Sequence, residues 1–427
     1  MSSASTPTAL LGAYERDNFG DVLFLEITSR NLSSDDLTVA APFGLQDDFR
    51  PLDADVKPLK EATQSGNVEA VWMVGGETGG TSMPAAYRMA ASQERYDAWR
   101  SLPPRSQNSR LMELTGRSVY GSPYLPRMSA TSGTLKTRLV INSAGLSGLS
   151  GLIGHRADES WGAVHDASYI SVRDSASART LERRSVSHAL APDLVHSLRT
   201  SQAGWLAGNT DTPGYALIQV KESSLARIGS REFASILLNS PALRGLDLRL
   251  FVAGRARGHD SVKLYREVIE SAKRTDPSRP ISIADPPTAM EKAELIARAA
   301  LWVGTSLHGL IISSSFEVPR VGLELEKLTR YATTWGDPMP VGVPLEAIGE
   351  AASVALHSKE TAGRADRLAE AANASFERAR SAAETPLTAS QMNERHDRKR
   401  RLAVRSNSRF RTALTGSAES LRAWRHR

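Results

Sequence analysis

The feature that most constrains the fold is a regular alternation of apolar runs and helical patterns in the second half of the chain. The apolar runs have the length and composition of buried strands and cover residues 215–220, 248–253, 281–284, 301–304 and 320–323. The stretches between them have helical spacing and cover residues 223–238, 261–273, 290–298 and a segment that begins near residue 308. Because consecutive parallel strands need a long crossover, which is usually a helix, this alternation predicts a doubly wound parallel α/β sheet.

The first half of the chain shows a looser version of the same pattern. The predicted elements are a helix around residues 22–27, a flexible loop over a site at residues 143–154, and strands at residues 9–14, 37–41, 68–74, 139–142 and 169–172. Two such halves predict an α/β protein with two Rossmann-like, doubly wound domains that face each other across a cleft, where ligands usually bind.

Small polar residues and prolines mark the boundary between the halves, at residues 201–213. We predict an N-terminal α/β domain, a C-terminal α/β domain, and a helical extension with a basic amphipathic tail. Their predicted bounds are residues 1–205, 206–345 and 346–427.

Charge is distributed unevenly along the chain. The 427 residues include 53 Lys and Arg against 47 Asp and Glu. Residues 391–427 hold eleven of the basic residues and three of the acidic ones, so the remaining chain, with 42 against 44, is near neutral. Because the basicity is confined to a tail, it does not predict a nucleic-acid partner for the body.

The tail has the pattern of a basic amphipathic helix, which favours contact with an anionic membrane surface. A solvated basic end, interrupted at Gly416, is the alternative. No stretch resembles a secretory signal or reaches the ~20 apolar residues of a spanning helix. We therefore expect a cytoplasmic protein that reaches the inner face of the membrane through its tail. The apolar positions of this pattern are Phe410, Leu414, Ala418, Leu421 and Trp424.

Several chemistries are excluded or unsupported by the residues present. Cysteine is absent, which removes disulfides, thiol nucleophiles and thiolate-bound metal centres. The histidines show neither HxH nor HExxH spacing, so no metal site is predicted. A G-x-S-x-G turn is also absent, and a serine hydrolase is therefore not predicted.

Two glycine-containing loops follow predicted strands in the first half. The loop Gly12–Asp21 precedes a helix whose N-terminus favours an anion, and Asp21 is either a base or a cap for that helix. The loop Val74–Ser82 either admits a substrate close to its backbone or is a tightly packed turn. It lacks the lysine of a Walker A loop and the glycine spacing of a dinucleotide fingerprint, so neither an ATPase nor a dehydrogenase is predicted.

Two further segments place basic groups at the ends of predicted strands. Arg173 either binds a phosphate or carboxylate through two parallel hydrogen bonds from its planar guanidinium or pairs with a neighbouring carboxylate. His308 lies where an apolar strand passes into an apolar helix, and it either donates a proton, binds a phosphate oxygen or is structural. Lys327 follows the next strand and supplies a second cation from the opposite wall of the predicted cleft.

The order and spacing of these segments resemble the polysaccharide pyruvyl transferase family. The resemblance covers residues 10–332, and its joint pattern is specific although each motif alone is degenerate. The motifs stand in this sequence as Gly12, Asn18-Phe19-Gly20-Asp21, Gly75-Gly76, Ser171-Val172-Arg173-Asp174-Ser175, Pro192-Asp193, Leu307-His308-Gly309, Pro319 and Lys327.

The resemblance implies an enzyme with a fold like that of the B-type glycosyltransferases. It implies transfer of a pyruvyl group from phosphoenolpyruvate to two hydroxyls of a sugar in a cell-surface polysaccharide or its precursor, which forms a ketal and releases phosphate. The partner is then a glycan acceptor, lipid-linked precursors included. Phosphoenolpyruvate is the donor substrate, and the chemistry implies no cofactor and no metal.

The resemblance also implies roles for individual residues. Arg173 and Lys327 bind the anionic groups of the donor. His308 acts on the phosphate or as the general acid, and Asp21 accepts a proton from the acceptor. Arg173 is counted with His308 and Asp21 as catalytic. The remaining implied site residues are Ser306 and Gly309 on the donor side, and Asn18, Gly20, Gly75, Gly76 and Glu77 on the acceptor side.

One position departs from the family. This chain has Ser306 where the family usually has an arginine that helps to hold the donor. Either Arg320, Arg330 or Arg255 replaces it, or the donor differs, or activity has been lost. A B-type glycosyltransferase with a nucleotide-sugar donor is therefore an alternative function, and a catalytically silent sugar-binding protein is a third.

Overall fold

Two parallel β-sheets covered by helices form the body of the protein. The computed structural model describes residues 6–402 except residues 33, 35, 46–50, 65, 132 and 207–213. The amphipathic pattern predicted for the tail begins at residue 403 or later and lies outside the described residues. Within the described part of the chain, no helix is both long enough and apolar enough to cross a membrane.

The first sheet is built from the N-terminal half of the chain. Its strands are β1 (Thr8–Leu11), β2 (Leu37–Ala41), β3 (Lys57–Pro58), β4 (Ala70–Met73), β5 (Gly76–Glu77), β6 (Arg138–Gly145), β7 (Tyr169–Val172) and β8 (Ala189–Leu190). Their order is β3-β2-β1-β4-β6-β7-β8, and β5 pairs with β6 beyond the end of β4. The chain therefore winds outward from β1 in one direction and then in the other, as in a doubly wound sheet.

The helices of this half cover the sheet and connect its strands. They are α1 (Phe19–Leu32), α2 (Leu59–Gln64), α3 (Met83–Ala90), α4 (Gln93–Arg100), α5 (Pro104–Thr115), α6 (Gly154–Asp166), α7 (Ser175–Glu182) and α8 (Leu198–Ser201). Side-chain caps fix where several of them begin. Asp174, for example, accepts a hydrogen bond from the Ser177 amide and starts α7 directly after Arg173.

The second sheet is built from the C-terminal half. Its strands are β9 (Tyr215–Gln219), β10 (Asp247–Phe251), β11 (Ile281–Ala284), β12 (Leu301–Gly304), β13 (Arg320–Leu323) and β14 (Val341–Val343). Their order is β11-β10-β9-β12-β13-β14, which is the Rossmann order. The connecting helices are α9 (Glu222–Ile228), α10 (Ser230–Asn239), α11 (Val262–Thr275), α12 (Ala289–Ala297), α13 (Leu307–Ser315) and α14 (Glu326–Thr334).

The last helices tie the two halves together. α15 (Ile348–His357) packs into the core of the second half, whereas α16 (Arg364–Glu384) returns to the first sheet. On α16, Phe376 contacts Trp72 of β4 with ring centroids 5.1 Å apart, and Ser375 lies 3.0 Å from the Tyr169 hydroxyl. A final helical segment at residues 389–402 anchors on the first half, where the buried Arg395 donates to the Thr137 carbonyl.

Two predicted elements differ in detail from the structure. The predicted helix at residues 223–238 is interrupted at Gly229, whose φ of 85° ends α9 before α10 begins. The predicted flexible loop at residues 143–154 was wrong in its first part, because β6 continues to Gly145 and a 3₁₀ helix follows at Ser147–Gly151. The hydroxyl of Ser177 accepts a hydrogen bond from the Leu146 amide and holds this segment in place.

The strand orders determine where a site can form. The direction of winding reverses between β1 and β4 in the first sheet and between β9 and β12 in the second. Ligands of doubly wound sheets bind outside the carboxyl ends of the strands at such a reversal. The loops that leave these four strands therefore define the place to search for a site.

Candidate active site

The loop after β1 and a loop of the second sheet meet through backbone hydrogen bonds. The Phe19 amide donates to the Ala253 carbonyl at 2.9 Å, and the Ala256 amide donates to the Asp17 carbonyl at 3.0 Å. Gly254 lies so close to the Asp17 carbonyl that a side chain there would overlap it. The predicted Gly12–Asp21 loop is thus held against the C-terminal half, which places both sheets at one site.

Asp21 is buried and its orientation is fixed by two neighbours. Arg16 donates to Asp21 Oδ2 from Nη2 at 3.0 Å and from Nε at 3.2 Å, and Asn18 Nδ2 donates to the same oxygen at 2.7 Å. The other oxygen, Oδ1, lies on the side of Gly76. The carboxylate is therefore held in one orientation with one oxygen engaged, and its role as a base stays a prediction.

His308 is buried at the start of α13 and packs against the first half of the chain. Its ring makes edge contacts with Phe24, at a centroid distance of 4.9 Å, and with Phe19 at 6.2 Å. Its Nδ1 lies against Gly20, where any side chain would overlap the imidazole. Burial lowers the pKa of His308 to about 4, so the ring is neutral near pH 7 when nothing is bound.

The Nε2 atom of His308 is buried and has no hydrogen-bond partner among the described residues. The charged groups that act on this ring are Asp193, Arg173, Asp21 and Lys327. An unpaired polar atom in such surroundings is costly unless a ligand or water engages it. Nε2 is therefore a candidate contact for a bound molecule.

Arg173 is buried at the end of β7 and is held by carboxylates. Its Nη1 lies 3.0 Å from Asp193 Oδ2, which is also buried, and its Nη2 lies 3.6 Å from Glu77 Oε2. Burial opposes the charge, but Asp193 and then Glu77 raise the pKa of Arg173. Its backbone carbonyl accepts a hydrogen bond from the Trp335 indole of the other half. Arg173 is therefore a rigidly placed, permanent cation.

Lys327 is partly buried at the start of α14. Its amine makes no hydrogen bond or ion pair with the residues that the structure describes. Burial and the nearby Arg173 lower its pKa to about 8, while Glu77 and Asp21 act in the opposite direction. The structure thus brings Arg173, His308 and Lys327 together around Asp21 and Glu77, as the sequence predicted, and their roles remain predictions.

The other predicted site residues have clear structural surroundings. Gly75 has a φ of 140° and faces the Phe24 ring, which in turn contacts His308. Gly76 has a φ of 96° and lies beside Asp21. Ser306 caps α13 by accepting the Gly309 amide at 3.2 Å, so that amide is engaged within the helix start, whereas the Ser306 hydroxyl can still donate a hydrogen bond. The Cα of Gly309 packs against the Trp302 ring, which requires a glycine.

The three arginines proposed to replace the one missing at Ser306 have different positions. Arg320 is fully buried at the start of β13 and pairs with Asp337 and Glu360, so it lies at the wrong end of the strand to reach the site. Arg255 is exposed and pairs with Asp285. Arg330 donates to Ser147 Oγ at 2.6 Å and lines the cavity described below, which leaves Arg330 as the candidate in contact with the cleft.

Sequence reasoning missed several groups at the site. His259, in the loop after β10, has a pKa lowered to about 4 by burial and by Arg16, and Lys327 and Lys221 act on it as well. Lys221 directly follows β9 at the point where the sheet winding reverses. The sequence signal that could have identified Lys221 as a site residue is its position just after the central strand β9. His259 lies within an irregular loop, where no periodic signal exists.

A buried acid lies behind Asp21. Glu15 Oε1 accepts the Phe43 amide at 3.4 Å, and its other oxygen has no partner among the described residues. Burial raises the pKa of Glu15 to about 8. The carboxyl group is therefore protonated near neutral pH and does not add a second negative charge beside Asp21.

A cavity of ≈ 830 Å³ opens next to this cluster, between α3, α7 and α14. It reaches the cluster through Glu77, which contacts Arg173, and Arg16, which holds Asp21. The charged and aromatic residues of its wall include Arg16, Glu77, Tyr124, Arg179, Arg183 and Arg330. The volume is large enough for a glycan as well as a small donor.

Comparison with known families supports the resemblance stated above. The model of the polysaccharide pyruvyl transferase family matches residues 119–326, just under half of the chain. This confirms the resemblance, and it confirms the prediction of an enzyme, since the family is one of transferases. Arg173 and His308 lie within the match, whereas Asp21 lies outside it and Lys327 follows its end. A sequence comparison with curated proteins gave no significant match.

Solved structures with similar folds are nucleotide-sugar enzymes. The UDP-N-acetylglucosamine 2-epimerase of Rickettsia bellii is 9% identical and aligns with a TM-score of 0.51 over 87% of this chain and 95% of its own. A Listeria monocytogenes protein described as a UDP-N-acetylglucosamine 2-epimerase is 11% identical, with a TM-score of 0.50 over 86% of this chain and 92% of its own. At these identities the likeness concerns the fold alone, and it confirms two α/β domains of the B-type glycosyltransferase kind.

Proposed function

Since its central half matches the polysaccharide pyruvyl transferase family, we propose that this enzyme transfers a pyruvyl group from phosphoenolpyruvate to two hydroxyls of a glycan. The observation that supports this donor is the convergence of Arg173, His308 and Lys327 from both halves of the chain. A small molecule that carries a phosphate and a carboxylate requires cations at close range in a site of low polarity. No cofactor and no metal takes part in this proposal.

Arg173 and Lys327 bind the anionic groups of the donor. Asp193 fixes one side of the Arg173 guanidinium, so the second side, now 3.6 Å from Glu77, faces the donor. Lys327 has no competing partner among the described residues and offers its amine to the same molecule. Because the donor brings negative charge, its binding raises the pKa of Lys327 and keeps the amine protonated.

His308 is the proton donor in this scheme. The ring is neutral in the free enzyme because burial lowers its pKa to about 4. A phosphate next to Nε2 raises that pKa, so the ring takes up a proton as the donor binds. His308 then protonates the methylene carbon of phosphoenolpyruvate, which becomes a methyl group, while the positive charge that develops on the neighbouring carbon is attacked by the first sugar hydroxyl.

Asp21 accepts the proton of the attacking hydroxyl. Its Oδ2 is held by Arg16 and Asn18, so Oδ1 is the oxygen available to the acceptor. The second hydroxyl then displaces phosphate by breaking its bond to the same carbon, which completes the ketal. Two hydroxyl protons are released in all. One replaces the proton that His308 gave to the carbon, and the other leaves with the phosphate.

The direct test is a phosphate-release assay with phosphoenolpyruvate and a panel of synthetic glycans, with the ketal identified by mass spectrometry. Arg173→Ala should remove turnover. Because this change also leaves Asp193 buried without its partner, Arg173→Lys is the second variant: it keeps the charge but loses the fork, and it should lower turnover in a protein that melts normally. Near-wild-type turnover in both variants would contradict the assignment.

A nucleotide-sugar donor is the second candidate, because Ser306 replaces the family arginine and the Rickettsia bellii structure is a UDP-sugar enzyme. Thermal-shift measurements separate the two donors, since a ligand that binds only the folded state raises the melting temperature. Stabilisation by phosphoenolpyruvate supports the proposal. Stabilisation by nucleoside diphosphates and not by phosphoenolpyruvate would replace it with the second candidate.

A further inference from the structure

The wall of the cavity beside the site holds four arginines against two glutamates, Glu77 and Glu326. Of the four arginines in its wall, Arg16 is bound to Asp21, and Arg330 is bound to Ser147. The side chains of Arg179 and Arg183 make no hydrogen bond or ion pair with any residue that the structure describes. Two exposed guanidinium groups in the cavity wall are therefore available to a bound molecule.

These two arginines lie on one face of α7. Ala176, Arg179, Thr180 and Arg183 all line the cavity, and their spacing of three and four residues places them in a single stripe. At about 1.5 Å per residue, this stripe runs for about 10 Å along the helix. α7 begins directly after Arg173, so the two free arginines extend away from the donor site along the cavity wall.

Two glycines from separate loops also line the cavity. Gly80 and Gly148 both line it, and a side chain on Gly148 would come within 2.6 Å of the Gly80 amide nitrogen. The two loops therefore approach this closely only because residue 148 is a glycine. The cavity therefore combines a helix face that carries two arginines unpaired within the described chain with a volume large enough for sugars of an acceptor that bears an anionic group.

We propose that Arg179 and Arg183 form an anion subsite for a diphosphate on the acceptor, separated from the reacting sugar by the length of the α7 stripe. The subsite rests on the proposed function, in that it names the class of acceptor for that site. Guanidinium groups bind phosphate oxygens in pairs, and two unpaired cations match the charge of a diphosphate better than that of a single carboxylate. The diphosphate can belong to a nucleotide-linked or to a lipid-linked sugar, because both present the same group.

Equilibrium titration without phosphoenolpyruvate tests the subsite independently of the transfer reaction. The probes are UDP-N-acetylglucosamine, farnesyl-diphosphate-linked N-acetylglucosamine and free N-acetylglucosamine. At least one diphosphate probe should bind more tightly than the free sugar to the wild-type enzyme. The R179A/R183A double variant should bind that probe about tenfold more weakly or worse, because each guanidinium–phosphate contact is charge-assisted.

Arg184→Ala is the matched control. Arg184 is the next arginine along the chain, but it stacks on the Trp161 ring with its guanidinium carbon 5.1 Å from the centroid and does not line the cavity. Its loss removes one positive charge, as Arg179→Ala alone does, so unchanged affinity in Arg184→Ala beside weaker binding in Arg179→Ala shows that position and not net charge matters. Higher salt should weaken wild-type binding of the diphosphate probe.

The outcomes separate the subsite from the donor assignment. Arginine-dependent binding of a diphosphate probe supports the subsite even if phosphoenolpyruvate is never consumed, which would refute only the donor. Stronger binding of the farnesyl probe identifies a lipid-linked source, and stronger binding of the UDP probe identifies a nucleotide-linked one. Equal affinity of the wild type and the double variant for both diphosphate probes, or no binding of either, overturns the subsite.

Discussion

The two halves of the candidate site contribute groups of different kinds. Asp21 and Arg173, from the first half, are each held by charged or polar partners within hydrogen-bond distance or close to it. His308 Nε2 and the Lys327 amine, from the second half, have no such partner in the described chain. Burial instead lowers the pKa of both groups, to about 4 and about 8.

This difference suggests a division of labour. Groups that are already paired keep their charge and position, so they can orient a substrate before it reacts. Groups that are buried without a partner change their proton affinity when an anion arrives, so they can respond to binding. In the proposed reaction, the first half thus provides groups of fixed position and charge, and the second half provides the groups whose protonation would change when the donor binds.

The largest expected effect comes from removing His308, whose protonation is proposed to change when the donor binds. His308→Gln should lower kcat by about 10² to 10⁴, the usual contribution of a positioned proton donor, while phosphoenolpyruvate still binds. Turnover and donor affinity, measured by phosphate release and titration, distinguish this from a loss of binding. A kcat within a factor of three of wild type would show that the second half does not supply the acid.

Removing the partner of a paired group should mainly affect stability and the position of that group. Asp193→Ala leaves the Arg173 guanidinium buried without its closest carboxylate. Breaking one side of a buried ion pair costs roughly 3–5 kcal/mol of unfolding free energy, and here it should also release the donor cation from its position. Denaturant unfolding measures the first effect, and the KM for phosphoenolpyruvate measures the second. If the unfolding free energy and the KM both stay unchanged, the pair does not hold Arg173 in position.

The contact between the halves can be broken with a single methyl group. Gly20→Ala places a Cβ into the His308 imidazole, so the ring or α1 must move. Overpacking of this kind typically costs about 1–3 kcal/mol, and activity should fall further than stability because His308 is displaced. Gly151→Ala is the control, since no atom lies within 4 Å of a Cβ there. Equal behaviour of the two variants in thermal melts and turnover would show that the close approach is unimportant.

The smallest expected effect concerns pH. Lys327 is charged below its pKa of about 8 and neutral above it, so the KM for phosphoenolpyruvate should rise up to about tenfold per pH unit above pH 8. A phosphate monoester is already dianionic in this range, so the donor itself does not cause the change. Lys327→Arg keeps a charge at every pH and should give a flat profile to pH 9. A flat profile in the wild type would contradict a role for the amine.

Most of the fold could be predicted from the sequence, and the reason is local. Apolar runs such as residues 301–304 and the helical spacing after them reflect period and length, which neighbouring residues determine. The strand bounds at Leu37–Ala41, Tyr169–Val172 and Ile281–Ala284 agree with the prediction residue for residue. The predicted flexible loop failed where polar side chains of a distant segment, such as Ser177, satisfy the backbone.

The sequence by itself determined the two doubly wound sheets and the strand ends that carry Asp21, Arg173, His308 and Lys327. Only the tertiary structure decided that Gly20 must be a glycine, that Arg320 is committed to Asp337, and that Arg179 and Arg183 face a cavity. The physical reason is the distance along the chain over which each kind of interaction acts. Secondary structure follows from residues a few positions apart, whereas a side chain's partners, burial and pKa depend on segments that folding brings together from opposite halves of the chain.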